Sequence, residues 1–224
     1  MKGLLVKDFQ LLQTNKMTFP IFIIIALVFL ISGDQEAGFF VVPYITMIFG
    51  IMTVSTVSYD EVDHSIAYIM TLPVTRKIYV VEKYVLMLLG TIIGWAISFG
   101  AASVFAVVRA YELDWVQWIV TTLVIMVVMF MFLCVMLPVQ LKFGATNSRI
   151  VLIVIFAIIA IGILGIKNLV PVGYVDSAHM TIVLNRIINS VTIAGVCGIF
   201  LVIAAVFSLL SMKISMGIMK QKQF

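Results

Sequence analysis

The sequence has few charged residues. Of its 224 residues, 11% are charged and 63% are apolar, whereas about 25% of the residues in an average soluble domain are charged. The mean hydropathy is +1.24. This composition is typical of an integral membrane protein and is too apolar for a water-soluble domain. The net charge of +4 is small, and no aromatic and basic patch accompanies it, so nucleic-acid binding is not expected.

Cysteine and histidine are also scarce. Cys134 and Cys197 lie inside apolar runs, so we expect neither a disulfide nor a zinc site. His64 and His179 lie in different loops, and neither has a second metal ligand at a usable spacing. We therefore predict no metal site and no cofactor bound directly by the chain.

The sequence lacks the phosphate-binding pattern G-x-x-x-x-G-K-[ST]. The chain therefore cannot hydrolyse ATP with that loop, and any energy for work must come from a partner. We predict a protein that is not itself an enzyme.

Six long apolar stretches are present, each close to or above the length of about 17 to 20 residues that crosses a bilayer. Their apolar residues are continuous and do not alternate with polar ones, which favours helices over the strands of a membrane barrel. The sequence thus predicts an all-α integral membrane protein, with one transmembrane domain over residues 1–224 and six transmembrane helices. The stretches are 17–32, 38–58, 84–108, 115–139, 150–166 and 190–212.

The distribution of lysine and arginine predicts the orientation of these helices. If the N-terminus is cytoplasmic, eleven of the 14 Lys and Arg residues lie in inside segments, and only Arg109, Lys167 and Arg186 lie outside. Because an excess of positive charge marks the cytoplasmic side, both termini are predicted to be cytoplasmic.

The segments outside the bilayer differ in character. Residues 1–16 are predicted to form an interfacial amphipathic helix, with Leu4 and Phe9 on an apolar side that Asp8 interrupts. Residues 167–189 form the longest extracellular loop. Residues 59–83 form a cytoplasmic loop that is rich in charge of both signs.

None of the six stretches, as drawn, contains Asp, Glu, Lys, Arg or His. Ionisable groups inside the membrane mark proton relays and ion pathways, so their absence counts against a proton-coupled carrier or an ion pump. It also leaves no acid, base or nucleophile for catalysis inside the membrane. This absence does not exclude a channel lined by backbone or hydroxyl groups, which is therefore kept as an alternative.

Small residues recur every four positions in the third stretch, at Gly90, Gly94, Ser98 and Ala102. Small residues at this spacing allow two helices to approach closely. The pattern predicts a helix interface, either with another subunit or within the same chain.

The cytoplasmic loop reads YDEVDHSIAYIMTLPVTRKIYVVEKY. Acidic residues come first, where negative charge suits the start of a helix. Apolar residues spaced to share one helix face follow, and a proline then ends the helix, because the residue before proline is pushed out of helical geometry. The loop is either a solvated connection that satisfies the positive-inside rule or a short helix that docks on a partner. The acidic residues are Asp60, Glu61 and Asp63, the apolar ones are Ile66, Ile69 and Met70, and the proline is Pro73.

This loop resembles the ABC-2 family of transporter permeases, in which an acidic residue is followed by a short run ending in L-P-[VIL]-[ST]-R. Here Glu61 precedes the run 72–76, which reads LPVTR. The opening MKGLLVKDFQLL resembles the family's N-terminal elbow helix, and LPVQLKFG at 137–144 resembles its second inside loop. His64 departs from the family pattern, since many members have glycine there.

The resemblance implies a non-catalytic permease subunit of a bacterial ABC exporter, located in the cytoplasmic membrane. It implies that the loop forms a coupling helix in a groove of a separate ABC ATPase, which binds ATP and Mg. It also implies a second permease copy or a paralogue, with a homodimer as the simpler arrangement. The residues expected to couple to the ATPase are Glu61, Asp63, Ile66, Ile69, Met70, Leu72, Pro73 and Arg76.

The resemblance also bears on the cargo. The chain is most similar in appearance to the small permeases that export phenol-soluble modulins or antimicrobial peptides, which implies an amphipathic peptide or another hydrophobic cargo. Lipid or drug export stays open. The alternatives from other classes are a non-transporting immunity or sensor protein of the membrane and an ATP-independent channel.

Overall fold

The computed structural model describes residues 2–14, 18–33, 37–62, 68–69, 75–111, 114–169 and 193–221. Within these residues the chain is helical, which confirms the predicted all-α class. The helices are α1 (Lys2–Thr14), α2 (Thr18–Ser32), α3 (Ala37–Val62), α4 (Arg76–Val108), α5 (Trp115–Leu169) and α6 (Ile193–Gln221).

Four segments of the described helices are long and apolar enough to cross a membrane. They are Ala37–Glu61, Arg76–Val108, Trp115–Gly144 and Gly198–Gln221. The shortest has 24 residues and is therefore about 36 Å long, above the roughly 30 Å of a hydrocarbon core. The apolar segment Pro20–Ser32 is shorter. The prediction of a polytopic membrane protein is confirmed, and four of the six predicted spans are supported by length and composition.

The helices extend beyond the ends of the apolar stretches. α4 begins at Arg76, eight residues before the third apolar stretch, and α3 continues past the second stretch to Val62. α5 runs through the predicted inside loop and is interrupted only at Gly144, whose φ of 78° and ψ of 175° are not helical. This positive φ suits glycine, because a side chain would clash with the backbone. α5 is thus two helices joined at one residue.

α3 and α4 pack closely along the predicted stripe of small residues. A Cβ atom on Gly94 would lie 2.7 Å from Phe49 Cβ and 3.2 Å from Thr46 Cα, so glycine sets the helix separation there. Further along, the hydroxyl groups of Ser98 and Thr46 are 3.5 Å apart. The stripe, with Gly90 and Ala102 also buried, therefore packs within the chain.

Two groups of buried apolar side chains form the core. The larger includes Leu4 of α1, Tyr79 of α4, Leu137 of α5 and Met219 of α6. The smaller joins α2, α3, α4 and α5 around residues such as Trp118. We use "base of the bundle" for the end at which α1, the last turn of α3, the first turns of α4, Gly144 and the last turn of α6 meet.

Candidate functional site at the base of the bundle

Four charged side chains from three helices meet at the base of the bundle. Lys83 of α4 is 2% exposed, forms an ion pair with Asp8 of α1 and lies 2.9 Å from Asp60 of α3. Lys7 is 33% exposed, forms an ion pair with Asp60 and lies 3.4 Å from Asp8. Asp8, Asp60, Lys7 and Lys83, called the ionic cluster below, therefore join α1, α3 and α4.

Polar neighbours complete the ionic cluster. The Tyr79 hydroxyl donates a hydrogen bond of 3.0 Å to Asp60 Oδ2, and Lys83 Nζ donates one of 3.0 Å to the Thr56 hydroxyl. Lys83 Nζ also lies 5.2 Å from the centre of the Tyr79 ring. Because a buried charge is expensive without partners, these contacts allow the cluster to exist inside the protein.

Glu82 adds a third buried carboxyl group. Its side chain is fully buried, and neither oxygen has a hydrogen-bond partner among the described residues. Lys83, Asp8 and Asp60 all lie within electrostatic range of it. The site therefore contains three carboxyl groups and two lysines. Lys83 is the central cation, because it pairs with Asp8 and Asp60 and also interacts with Glu82.

The sequence does not predict this cluster. Asp60, Glu82 and Lys83 fall in the predicted cytoplasmic loop, because the apolar stretches end at 58 and begin again at 84. Asp8 interrupts the apolar face predicted for the N-terminal helix. That interruption was the usable signal, since an acid on a face that becomes buried needs a cation from another helix.

Glu61 connects the end of α3 with the break in α5. A Cβ atom placed on Gly144 would lie 2.9 Å from Glu61 Oε2 and 3.0 Å from Oε1. The carboxylate therefore lies directly against the backbone at the break. Gly144 is required both for its positive φ and for this close approach.

Arg76 connects the start of α4 with the end of α6. Its guanidinium donates hydrogen bonds of 3.1 Å to the carbonyl of Met219 and 2.8 Å to that of Lys220. Carbonyl groups in the last turn of a helix lack partners inside the helix, and a cation is favourable there. The preceding Thr75 is the N-cap of α4, and its hydroxyl accepts a 3.3 Å hydrogen bond from Ile78 N.

A set of hydroxyl groups joins α4, α5 and α6 about two turns of α4 beyond Arg76. The Tyr84 hydroxyl lies 2.6 Å from the Ser211 hydroxyl and 2.9 Å from that of Ser215. Ser211 in turn donates a 2.5 Å hydrogen bond to the carbonyl of Cys134. The three helices are therefore held together by polar contacts as well as by the core.

The residues predicted to contact an ATPase are placed only in part. Glu61 and Arg76 lie at the two flanks of the loop and contact other helices of the chain. Ile69 is 4% exposed and packs in the larger core group, whereas the adjacent Tyr68 is 69% exposed. Contact with an ATPase stays a prediction for all of these residues. Asp63, Ile66, Met70, Leu72 and Pro73 lie outside the described residues.

The fold defines a polytopic helical membrane protein with a polar network concentrated at one end of its bundle. The sequence profile of the ABC-2 family transporter proteins matches residues 3–220. The chain therefore belongs to this family and is a multi-pass protein of the cytoplasmic membrane. Comparisons with curated proteins and with solved structures gave no significant match. Membership makes the chain the membrane component of a transporter, and such components in general work with an ABC ATPase.

Proposed function

We propose that the chain is the permease subunit of an ATP-driven exporter, and that residues 63–74 receive motion from a separate ATPase subunit that binds ATP and Mg. The family match supports the transporter class. The observation that carries the coupling role is the set of contacts at the two flanks of this segment.

Both flanks of 63–74 contact other helices. On the N-terminal side, Asp60 is paired with Lys7 of α1, and Glu61 lies against the break in α5. On the C-terminal side, Arg76 holds the last turn of α6. A displacement of the segment would thus be passed to three helices besides the two that it connects.

The same geometry supports a cytoplasmic position for the base. α1, the end of α6 and the flanks of 63–74 all lie at one end of the bundle, as the contacts of Lys7 and Arg76 require. The excess of Lys and Arg in these segments favours the cytoplasmic side. With both termini inside, residues 2–14 form the interfacial helix, and the two chain ends face the same compartment as the ATPase.

The docking surface is expected around Tyr68, one of the two described residues of the segment. Ile69 is buried among core residues, so in this arrangement it holds the segment against the bundle. Tyr68 points to the outside, and a large aromatic side chain is a common centre of a protein interface. We therefore place Tyr68 at the ATPase contact and give Ile69 the role of attachment.

An amphipathic peptide or another hydrophobic molecule is the proposed cargo. Large apolar side chains are exposed along the outer faces of α2, α4 and α6, such as Ile24, Val104 and Val202. Such faces can contact lipid, an apolar cargo or a second permease copy. Two copies, or one copy and a paralogue, would enclose a pathway between them.

The test is purification of the tagged, full-length chain from its native membranes in a mild detergent, followed by mass spectrometry. We expect an ATPase with a phosphate-binding loop to come with the chain. Tyr68→Asp should reduce its recovery at least tenfold, since a charge replaces an aromatic contact. Val108→Asp, at an exposed position at the opposite end of α4, is the matched control and should leave recovery unchanged.

Recovery of the intact chain without any ATPase would contradict the exporter function and favour a sensor or channel. If the ATPase is recovered equally well with Tyr68→Asp, the docking surface lies elsewhere on the base.

A further inference from the structure

A cavity of about 470 Å³ lies between α1 and the packed pair α3 and α4, with α2 at its side. Its volume is within the range of pockets that bind small molecules. The side chains that define it are Phe9, Leu12, Ile23, Phe49, Leu89 and Ile93. A second recess of about 410 Å³ adjoins it and shares Phe9 and Leu89.

The interior of the cavity is apolar. Thr53 is one of its polar residues, and its hydroxyl already donates a 2.7 Å hydrogen bond to the carbonyl of Gly50. A buried water needs two to four polar partners, and the interior does not supply them. An occupant of the interior must therefore be apolar.

Polar groups lie at the α1 edge of the cavity. Gln13 lines both spaces, and Gln10 lines the second recess. Both come from the helix that the ionic cluster holds through Asp8 and Lys7. Along α4 the cavity runs from Leu86 to Ile93, which is about 10 Å at 1.5 Å per residue. It therefore starts one turn beyond Lys83 and extends away from the base.

This arrangement has the polarity of a lipid at a membrane surface, with amide groups near the base and an apolar interior deeper in the bundle. An extended peptide would need partners for its backbone N–H and C=O groups, each of which costs several kcal/mol when unsatisfied in lipid, and the described lining of the cavity offers none. A helical peptide satisfies these groups itself, but a helix about 10 to 12 Å in diameter would fill a cavity of about 470 Å³ with roughly one turn. An acyl chain is narrower and requires no polar partners. Ile23, Leu89 and Ile93 line the cavity and are exposed at the surface, so a lipid chain could enter past them.

We propose that this cavity is a specific lipid site that holds one acyl chain of a phospholipid, with the head group beside Gln10 and Gln13. The lipid fills the space between α1 and the bundle and so supports the position of α1 together with the ionic cluster.

The test uses the full-length protein in vesicles that contain phosphatidylglycerol with a diazirine in the middle of one acyl chain. After photolysis, peptide mass spectrometry locates the adducts. We expect labelling of Phe9, Leu89 and Ile93 to exceed labelling of the exposed Val104 and Val202 at least fivefold. Native mass spectrometry after detergent exchange should show one retained phospholipid per chain.

Two variants distinguish specific binding of a lipid in the cavity from general contact with the bilayer. Leu89→Trp fills the cavity and should reduce the labelling of Phe9 at least fivefold, and Ile93→Trp provides an independent filling if the first variant does not insert. Val104→Trp adds the same side chain at an exposed position of α4 that does not line the cavity, and should have no effect.

Equal labelling of all exposed apolar positions would mean annular lipid only and would overturn the proposal. Retention of a peptide or of a second permease chain in place of the phospholipid would also overturn it, as would unchanged labelling of Phe9 in both filled variants.

Discussion

Replacement of Lys83 by methionine is the sharpest test of the ionic cluster. Methionine keeps much of the length of the side chain and removes its charge. Asp8 and Asp60 then stay buried at 1% exposure each, with Lys7 as the cation of the cluster that still contacts both. The fully buried Glu82 also loses its favourable electrostatic interaction with Lys83.

The expected loss of stability is large. Removal of one partner from a buried ion pair costs about 3 to 5 kcal/mol, because the other charge is left buried and unpaired. Lys83 contacts two carboxylates, and Lys7 compensates part of the loss, so we expect a value inside this range. For a chain of 224 residues, each kcal/mol lowers the melting temperature by about 2 to 4 °C, which gives a decrease of about 6 to 20 °C.

Thermal unfolding in detergent can be followed with a thiol-reactive dye. Cys134 is fully buried in the larger core group, so its reaction with the dye reports loss of the core. A Cys197→Ser background leaves Cys134 as the one thiol of the sequence. Lys77→Met is the matched control, because Lys77 is exposed on the first turn of α4, and surface changes stay within about 0.5 kcal/mol.

A decrease below about 3 °C for Lys83→Met, or an equal decrease for Lys83→Met and Lys77→Met, would refute the reasoning. Asp8→Asn is expected to have a smaller effect than Lys83→Met, because Lys83 then still pairs with Asp60. If Asp8→Asn were the more damaging change, Lys83 would not be the central cation.

Further predictions concern glycines and use the same unfolding assay. Gly144→Ala should destabilise the protein by about 1 to 3 kcal/mol, because the φ of Gly144 is positive and the new Cβ meets the Glu61 carboxylate. Gly217→Ala is the control and should be neutral or stabilising, since its Cβ meets no atom within 4 Å. A larger loss of stability for Gly217→Ala than for Gly144→Ala would contradict the fit at Gly144. Gly94→Leu should destabilise the protein by about 1 to 3 kcal/mol through overpacking against α3. Gly100→Leu should not destabilise it, because a side chain at Gly100 has open space. Equal effects of the two substitutions would mean that α3 and α4 are not in close contact.

The membrane class and the packing stripe were predictable from the sequence, because both depend on local patterns. Continuous apolar runs determine which segments can enter a bilayer, and Gly94 and Ser98 are small whatever lies opposite. The pattern did not determine the partner of the stripe, since close approach within a chain and between subunits uses the same small residues. The structure supplies α3 as that partner.

The ionic cluster was not predictable in this way. The sequence pattern places Lys83 at the end of a loop, because a hydropathy window stops at a charge even where the backbone is helical from Arg76 onward. The pairing of Asp8 with Lys83 spans 75 positions of the chain, so no local pattern contains it. The sequence does not predict the single break at Gly144 for a related reason: the polar stretch around it is typical of a loop, although the residues on both sides of Gly144 are helical.

The last turn of α3 has a geometry that favours transmission of motion over local flexibility. Asp60 and Glu61 are consecutive, so their side chains leave the helix about 100° apart, one toward α1 and α4 and the other toward the break in α5. If residues 63–74 moved alone, this turn would have to break a buried ion pair, at a cost of about 3 to 5 kcal/mol. Movement of the contacted helices with the turn avoids that cost. A force on the segment is therefore expected to move α1, α4 and the break in α5 together with α3, as the coupling role proposed for residues 63–74 requires.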